Sequence, residues 1–209
     1  MMPALLSQEK DFGIWYCFDG EFRLAKKLDL DFSSNLRTFN DASSVEQIFG
    51  EIGLTYKPFK FLALAGSYRL TGKTEDDTEY HPRHKFFFDV TGSSDLGRFT
   101  ITGRYRLQRQ DKTYFEDPDD EVPDYYSRLR AKLAYRTKSF PVNPYITTEV
   151  FVRMFENTEK IPDKFRISAG AEYKFNKHHS VEMEYIFERD YLPDLIDTNI
   201  IALTYNLKF

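Results

Sequence analysis

Charged side chains occur at alternate positions in the middle of many segments, and both signs are present. In residues 125–137, one face carries Arg128, Arg130 and Lys132. A strand places alternate residues on opposite faces, so these charges share a face. Inside a closed barrel they would meet, and buried ions are tolerated only when paired. The predicted interior set is Arg104, Arg106, Arg128, Arg130, Lys132, Arg136, Arg153, Arg166 and Lys174 with Glu51, Asp89, Glu149, Glu172, Glu182, Glu184 and Glu188.

Two roles are compatible with this charge network. In the first, opposite charges neutralise one another and plug the lumen, which leaves a structural barrel. In the second, a narrow polar pore remains, and its arginine cluster favours anions. We expect a largely salt-bridged lumen and keep passive conduction as the alternative.

Two acidic segments are weaker candidates for chemistry. Residues 75–77 and 117–121 are rich in carboxylates, which are ligands for Ca²⁺. Neither has the spacing of a helix–loop–helix calcium site. With His81 and His84 nearby, these carboxylates are also compatible with a protease that uses His and Asp, but such chemistry needs a geometry that sequence does not define. We predict solvated loops.

His178, His179 and Ser180 are contiguous, as are Arg83, His84 and Lys85. The first group contains the residue types of a lipid hydrolase, but neighbours on a strand point in opposite directions. We predict a polar turn there, and no catalytic residue, metal site or cofactor in the chain. Arg83, His84 and Lys85 begin a strand at the loop rim, where cations would contact lipopolysaccharide phosphates. An ordinary charged rim is the alternative.

Composition limits the classes of protein that can carry these residues. The chain has 209 residues, of which 30% are charged and 17% aromatic, with a mean hydropathy of −0.55. No apolar run approaches the roughly 20 residues that a spanning helix needs. The net charge of −4 argues against a nucleic-acid partner. The single cysteine, Cys17, excludes an internal disulfide framework.

The elements that position the charges are strands of about 10 to 13 residues, the length of a tilted barrel strand. The links between them alternate between short turns and longer, mostly acidic loops. This asymmetry and the charges at mid-strand favour a membrane barrel over a soluble barrel with an apolar interior. The alternating segments number about 11, but termini on one side require an even count. We therefore predict an all-β, antiparallel up-and-down transmembrane barrel of about 12 strands, with 10 as the alternative.

Both ends of the sequence have features that are expected of a protein exported to the outer membrane. Apolar residues alternate at Leu203, Tyr205, Leu207 and Phe209 and finish on the last residue. That ending resembles the signal that the outer-membrane assembly machinery recognises. We assign residues 1–11 to an N-terminal segment that holds the remnant of a signal peptide, with a free terminus as the alternative. The single barrel domain spans residues 12–209.

Four short motifs are distinctive: Asp-Phe-Gly-Ile-Trp at residues 11–15, Arg-His-Lys-Phe at 83–86, Tyr-Lys-Phe-Asn-Lys-His-His-Ser at 173–180, and the aromatic end. Together they resemble the family called domain of unknown function 2490 (DUF2490), outer-membrane barrels of Gram-negative bacteria. The resemblance covers nearly the whole chain and brings no catalytic residues. It implies residence in the outer membrane, with lipid, lipopolysaccharide and the assembly machinery as partners. A surface enzyme acting on lipid or peptide, and an accessory subunit of a larger envelope complex, are the rival functions.

Overall fold

The computed structural model of the chain describes five stretches of sequence. The predicted acidic loops at 75–77 and 117–121, and most of the predicted signal remnant, lie outside the described residues. No helix among the described residues is long and apolar enough to span a membrane. The described stretches are residues 9–74, 80–112, 123–155, 162–191 and 195–209.

The described residues form eleven strands in one closed sheet. Each follows from the alternation of apolar and polar residues, which a pleated strand separates onto two faces. The strands are β1 (Glu9–Ala25), β2 (Leu28–Phe39), β3 (Ser44–Phe59), β4 (Leu62–Thr74), β5 (Tyr80–Leu96), β6 (Phe99–Lys112), β7 (Asp124–Tyr135), β8 (Val142–Met154), β9 (Lys164–Lys174), β10 (His179–Asp190) and β11 (Ile196–Lys208).

Closure of the barrel differs from the expected arrangement. Consecutive strands pair antiparallel, but β1 and β11 pair parallel, with Glu9 opposite Ile196 and Glu21 opposite Lys208. The expected even count, about 12, assumed that both ends of the sheet lie at one rim. A parallel closing pair instead places the start of β1 and the end of β11 at opposite rims, and this arrangement requires the odd number observed.

The connections divide the barrel into two rims. At the short-turn rim, the strands are joined by residues 26–27, 60–61, 97–98, 136–141 and 175–178. At the long-loop rim, they are joined by residues 40–43, 75–79, 113–123, 155–163 and 191–195. β1 begins at the long-loop rim and β11 ends at the short-turn rim.

The outer face of the barrel is apolar and the inner face is charged. Leu129 is 62% exposed and Ile167 50% exposed, whereas Glu149 is only 6% exposed. The Arg128 side chain points inward and retains 11% of its accessible surface. A soluble barrel would show the opposite distribution, because it must bury its apolar residues. An apolar surface of this extent requires apolar surroundings.

Exposed aromatic rings form bands near both rims. Such rings suit a boundary between water and lipid, since they combine an apolar body with a polarisable face. Toward the short-turn rim lie Phe59, Phe61, Phe99, Phe140, Phe175 and Phe209, and toward the long-loop rim lie Phe39, Tyr80, Tyr125 and Phe155.

The beginning of β1 is fixed by its contacts with the β2–β3 turn. Asp11 accepts hydrogen bonds from the backbone N–H groups of Asn40 and Asp41, at 3.2 and 3.0 Å. Both residues and Ala42 have positive φ, at 54°, 55° and 61°, so the turn needs external partners to hold it. These contacts set the height at which the inward-facing Trp15 enters the lumen.

Candidate functional site

Glu149 of β8 is the centre of an ion-pair network in the middle of the lumen. Its Oε1 accepts a hydrogen bond from Arg104 Nη2 at 2.8 Å and from Arg128 Nη2 at 3.0 Å. Arg166 Nη1 lies 4.0 Å from Oε2. The register explains this convergence, because Glu149 is opposite Arg130 on one side and Arg166 on the other. One carboxylate therefore balances charge from three strands.

Further buried pairs surround this centre. Asp89 accepts two hydrogen bonds from Arg106, both 2.6 Å, in a bidentate geometry that fixes the guanidinium plane. Glu188 pairs with Arg166 and, at 2.7 Å, with Lys164.

On the wall formed by β3 and β4, Arg69 Nη2 lies 2.6 Å from Glu51 Oε2. These pairs join neighbouring strands, so they brace the wall of the barrel as well as fill its interior.

Inward-facing aromatic rings alternate with arginines around the lumen. Arg37 lies 3.7 Å over the Trp15 ring, and Arg69 lies 3.9 Å over Phe49. The series continues with Arg106 at 4.3 Å from Phe87, Arg128 at 4.2 Å from Phe151, and Arg166 at 5.1 Å from Trp15. We call this set the Arg–aromatic belt. It narrows the lumen while each ring face stabilises a cation.

Sequence reasoning did not assign these inward aromatics to the site. Trp15, Phe49 and Phe87 were assigned no functional role. Each is an even number of positions from a charged residue of the same strand (Asp19, Glu51 and Asp89, respectively), so each shares that residue's face. Alternation between the two faces of a strand was therefore the signal that could have assigned these aromatics to the lumen. An aromatic residue on the charged face of a strand has to lie among the ions.

Three lumen cations have no carboxylate within 4.0 Å among the described residues: Arg37, Lys85 and Arg130. Arg37 Nε is buried and lacks a hydrogen-bond partner in the same part of the chain. The four strongest electrostatic neighbours of Lys85 are Arg69, Arg37, Arg83 and Lys73, all of them cations. The long-loop half of the lumen is therefore electropositive.

Two carboxylates of β10, Glu182 and Glu184, have polar partners in the lumen. Glu184 accepts a hydrogen bond from Ser168 at 2.6 Å, and Glu182 accepts one from Asn206 at 3.0 Å. Lys132 Nζ is 3.9 Å from Glu182 Oε2 and 3.7 Å from the centre of the Tyr145 ring.

The last predicted acidic site residue, Glu172, lies close to the short-turn rim. It accepts a hydrogen bond from Ser180 at 2.9 Å and pairs with Lys174 at 3.2 Å.

Three cavities follow one another along the lumen. The long-loop cavity measures about 330 Å³ and the middle cavity about 320 Å³, and both touch Trp15, Arg37 and Arg128. The short-turn cavity measures about 260 Å³ and shares Asp19 and Glu51 with the middle one. Side chains of the Arg–aromatic belt stand between the first two.

Besides Glu172 and Lys174, two other predicted members of the interior set, Arg136 and Arg153, lie away from the middle. Arg136 pairs with Asp95 at 2.7 Å near the short-turn rim, where their side chains are 57% and 62% exposed. Arg136 follows the alternation of β7 but lies in the turn after that strand, so alternation did not predict its position at the rim. Arg153 lies near the long-loop rim, 3.4 Å from Asp163 and 5.5 Å from the Tyr126 ring.

The three residues predicted to contact lipid do not act together. Arg83 and Lys85 line the long-loop cavity, so they are turned away from lipid. His84 lies on the outer face, where its Nδ1 is 2.7 Å from the Tyr68 hydroxyl. The shared lipid contact fails for Arg83 and Lys85 because alternate residues of β5 face opposite sides.

The histidines near the short-turn rim have separate partners. His178 Nδ1 lies 2.6 Å from the Lys208 carbonyl oxygen, and His179 Nδ1 lies 2.5 Å from the Tyr205 hydroxyl. Ser180 points inward to Glu172. The structure therefore does not bring His179 and Ser180 together. His81, on the strand face opposite His84, is likewise separated from it.

The residues of the predicted assembly signal share the outer face of β11. Phe209 stacks on Phe22 at 5.7 Å and on His178 at 5.2 Å, and Tyr205 stacks on Phe18 at 5.8 Å. Leu207 lies between Tyr205 and Phe209 in the same row, and Leu203 continues the row toward the long-loop rim.

Comparisons with known proteins agree with this architecture. The model of a family described as "Protein of unknown function (DUF2490)" matches residues 12–197. A search of curated proteins gave no match.

Among solved structures, a bacterial polysaccharide outer membrane secretin is 11% identical, with a TM-score of 0.52 over 88% of this chain and 74% of that chain. The beta domain of the Bordetella autotransporter BrkA is 10% identical, with a TM-score of 0.49 over 79% and 78%. The translocator domain of the autotransporter NalP from Neisseria meningitidis is 13% identical, with a TM-score of 0.48 over 81% and 71%. At these identities, likeness extends to the fold alone.

Proposed function

We propose that this chain, which belongs to the DUF2490 family of proteins of unknown function, is a narrow passive channel of the outer membrane with a preference for small anions. The observation that carries the proposal is the row of three lumen cavities, two of which, the long-loop and the middle cavity, are lined by more cations than carboxylates. The lumen is largely salt-bridged, so the path is narrow and permits only small solutes.

The membrane setting is supported by the distribution of side chains. Apolar residues cover the outer face, aromatic bands lie near both rims, and charges are confined to the lumen and rims. This arrangement is stable when hydrocarbon surrounds the wall. We place the short-turn rim in the periplasm and the long-loop rim outside, with lipid and lipopolysaccharide against the wall. We further propose that the residues Leu203, Tyr205, Leu207 and Phe209 are recognised by the assembly machinery.

The size of the path is set by the Arg–aromatic belt. Neighbouring cavities share lining residues of the belt, so we propose that rotamer changes of these side chains connect them. Each cavity is near the lower limit for holding a small organic ligand. Inorganic ions and small organic acids fit this space, whereas polymers do not.

The preference for anions follows from the charges of the middle cavity. Seven arginines and four carboxylates line it, and Asp89 and Glu188 pair with two of those arginines, Arg106 and Arg166, which leaves an excess of one positive charge. Fixed charges in a constriction raise the local concentration of counter-ions and repel ions of the same sign. Arg130 contributes most directly, since it has no paired carboxylate among the described residues.

The proposal is tested by conductance in planar bilayers under a KCl gradient. We expect stepwise currents and a reversal potential that indicates anion preference. Arg130→Glu should move the reversal potential toward cation preference, and Arg104→Glu should act in the same direction. Arg109→Gln is the matched control, because Arg109 belongs to the same strand as Arg104 but lies on the outer face, paired with Asp111 at 2.9 Å.

A control for folding makes a negative result informative. Heat-modifiable migration in gels establishes that each variant is a closed barrel before conductance is measured. A folded protein without current would refute the channel and favour a structural barrel. Unchanged selectivity in Arg130→Glu would refute the role assigned to the lumen arginines. Release of product from lipid or peptide, or a partner that co-purifies in mild detergent, would favour the rival functions.

A further inference from the structure

We propose that the long-loop half of the lumen contains a binding site for a small multivalent oxyanion, of which phosphate and phosphate monoesters are the fitting class. Arg37, Arg69 and Lys85 are its principal residues. The site goes beyond the proposed channel, because binding does not require ions to cross the lumen.

The first support is the place and charge of the long-loop cavity. Lys73 and Arg83 lie near the long-loop ends of β4 and β5, and both line this cavity of about 330 Å³. Nine cationic and four anionic side chains line it, and Glu51 and Glu149 pair with two of the cations, Arg69 and Arg128, so an excess of three positive charges remains. That excess is larger than in the middle cavity and calls for a counter-ion.

The second support is the way in which Arg37 is held. Its guanidinium lies 3.7 Å from the centre of the Trp15 ring and 4.9 Å from that of Phe49. Stacking occupies the face of the guanidinium and leaves the N–H groups at its edge for another partner. Its buried Nε has no hydrogen-bond acceptor among the described residues. A polar group in this state is costly unless a ligand satisfies it.

The third support is the environment of Lys85. The register places it opposite Arg69 on one side and Gln110 on the other. Arg69 is stacked on Phe49 and paired with Glu51, so its own charge is partly balanced. Lys85 has no such carboxylate within 4.0 Å in the described part of the chain. A buried cation among cations destabilises the empty barrel.

The chemistry of these donors selects the ligand class. Arginine edges donate two parallel N–H groups, which match two oxygens of a phosphate, and an ammonium group binds a third oxygen as a point charge. A doubly charged oxyanion neutralises Arg37 and Lys85 together, whereas chloride has one charge and no oxygens to bridge them. The cavity volume admits inorganic phosphate or a small phosphate monoester.

The test is equilibrium dialysis of the folded, detergent-solubilised protein with radiolabelled inorganic phosphate, at constant ionic strength set with chloride. We expect saturable binding of about one phosphate per chain. Trp15 is the only tryptophan, so its fluorescence should change over the same concentration range. Absence of saturable binding to the wild type would overturn the proposal.

A variant at Lys85 separates a ligand residue from a structural one. Lys85→Met should weaken phosphate binding about tenfold or more, because a charge-assisted contact is lost. The same variant should raise the temperature of gel-monitored unfolding without phosphate, since an unpaired cation has been removed. Arg109→Gln, on the outer face, should leave binding unchanged. If Lys85→Met bound phosphate with the affinity of the wild type, the site would be refuted. If the wild type bound phosphate but conducted no current, only the channel would be refuted.

Discussion

Glu149→Gln should be among the most destabilising single changes in the lumen. Glu149 is 6% exposed and balances Arg104 and Arg128 at 2.8 and 3.0 Å, with Arg166 at 4.0 Å. Glutamine has nearly the same size and can still accept a hydrogen bond from one arginine. It cannot neutralise the charges, and its amide N–H groups are repelled by them.

The magnitude follows from the two short contacts. One charge-assisted hydrogen bond is worth about 1.5–3 kcal/mol. Removing one partner of a buried ion pair costs about 3–5 kcal/mol, because the other charge remains uncompensated. The cavities beside Glu149 leave the lumen less dry than a protein core, so we expect a loss of about 3 kcal/mol, at the lower end of that range.

The assay is urea unfolding of the barrel in lipid vesicles, followed by Trp15 fluorescence and gel migration. Asp95→Asn is the matched control, since Asp95 pairs with Arg136 at 2.7 Å at an exposed rim. Exposed pairs contribute little to stability, so this control should show no resolvable loss.

A double variant tests the mechanism of the loss. Arg128→Met combined with Glu149→Gln should be more stable than the sum of the single losses predicts, by about 1 kcal/mol or more. A loss in Glu149→Gln no larger than in Asp95→Asn, or strict additivity in the double variant, would refute the central role of Glu149.

Three further changes test local features of the fold. Gly13→Ala should lower the free energy of unfolding by about 1–3 kcal/mol, because the added Cβ would lie 2.5 Å from the Thr38 carbonyl oxygen. Gly103→Ala is the control: its added Cβ would have no atom within 4 Å, so it should be nearly neutral in the same urea assay. Ala42→Gly should raise stability by up to about 1 kcal/mol, because it relieves a φ of 61°; an unchanged unfolding midpoint would argue against strain in this turn. Phe209→Ala should slow barrel assembly in cells while leaving refolding in detergent nearly unchanged, and equal rates of assembly in cells would contradict its part in the assembly signal.

The faces of the strands could be predicted from sequence because the pleat has a local period of two. Leu129 and Ile167 lie outside, and Arg128 and Glu149 lie inside, as alternation required. The same rule separates Arg83 and Lys85 from His84, and it places Trp15 among ions. Applying alternation to every residue type, and not to charges alone, would have found most of the Arg–aromatic belt.

The height of each residue along the barrel was not predictable in this way. Arg136, just after the end of β7, has the same alternation as Arg130, yet Arg136 lies at an exposed rim and Arg130 lines the middle cavity. Which carboxylate reaches which arginine depends on the register between strands and on contacts across the lumen. These are long-range properties that no window of sequence contains.

The sequence by itself determined that the chain forms long amphipathic strands with a charged face and an apolar face, since alternation acts between neighbouring residues. Only the tertiary structure decided the odd number of strands in the described chain, because the parallel pairing of β1 with β11 joins residues almost 190 positions apart. It also decided that Glu149 balances several arginines, whereas Arg37 and Lys85 have no carboxylate within 4.0 Å among the residues that the structure describes. Charge balance in a closed lumen depends on which side chains come into contact across the barrel. Those contacts are fixed only when the barrel closes.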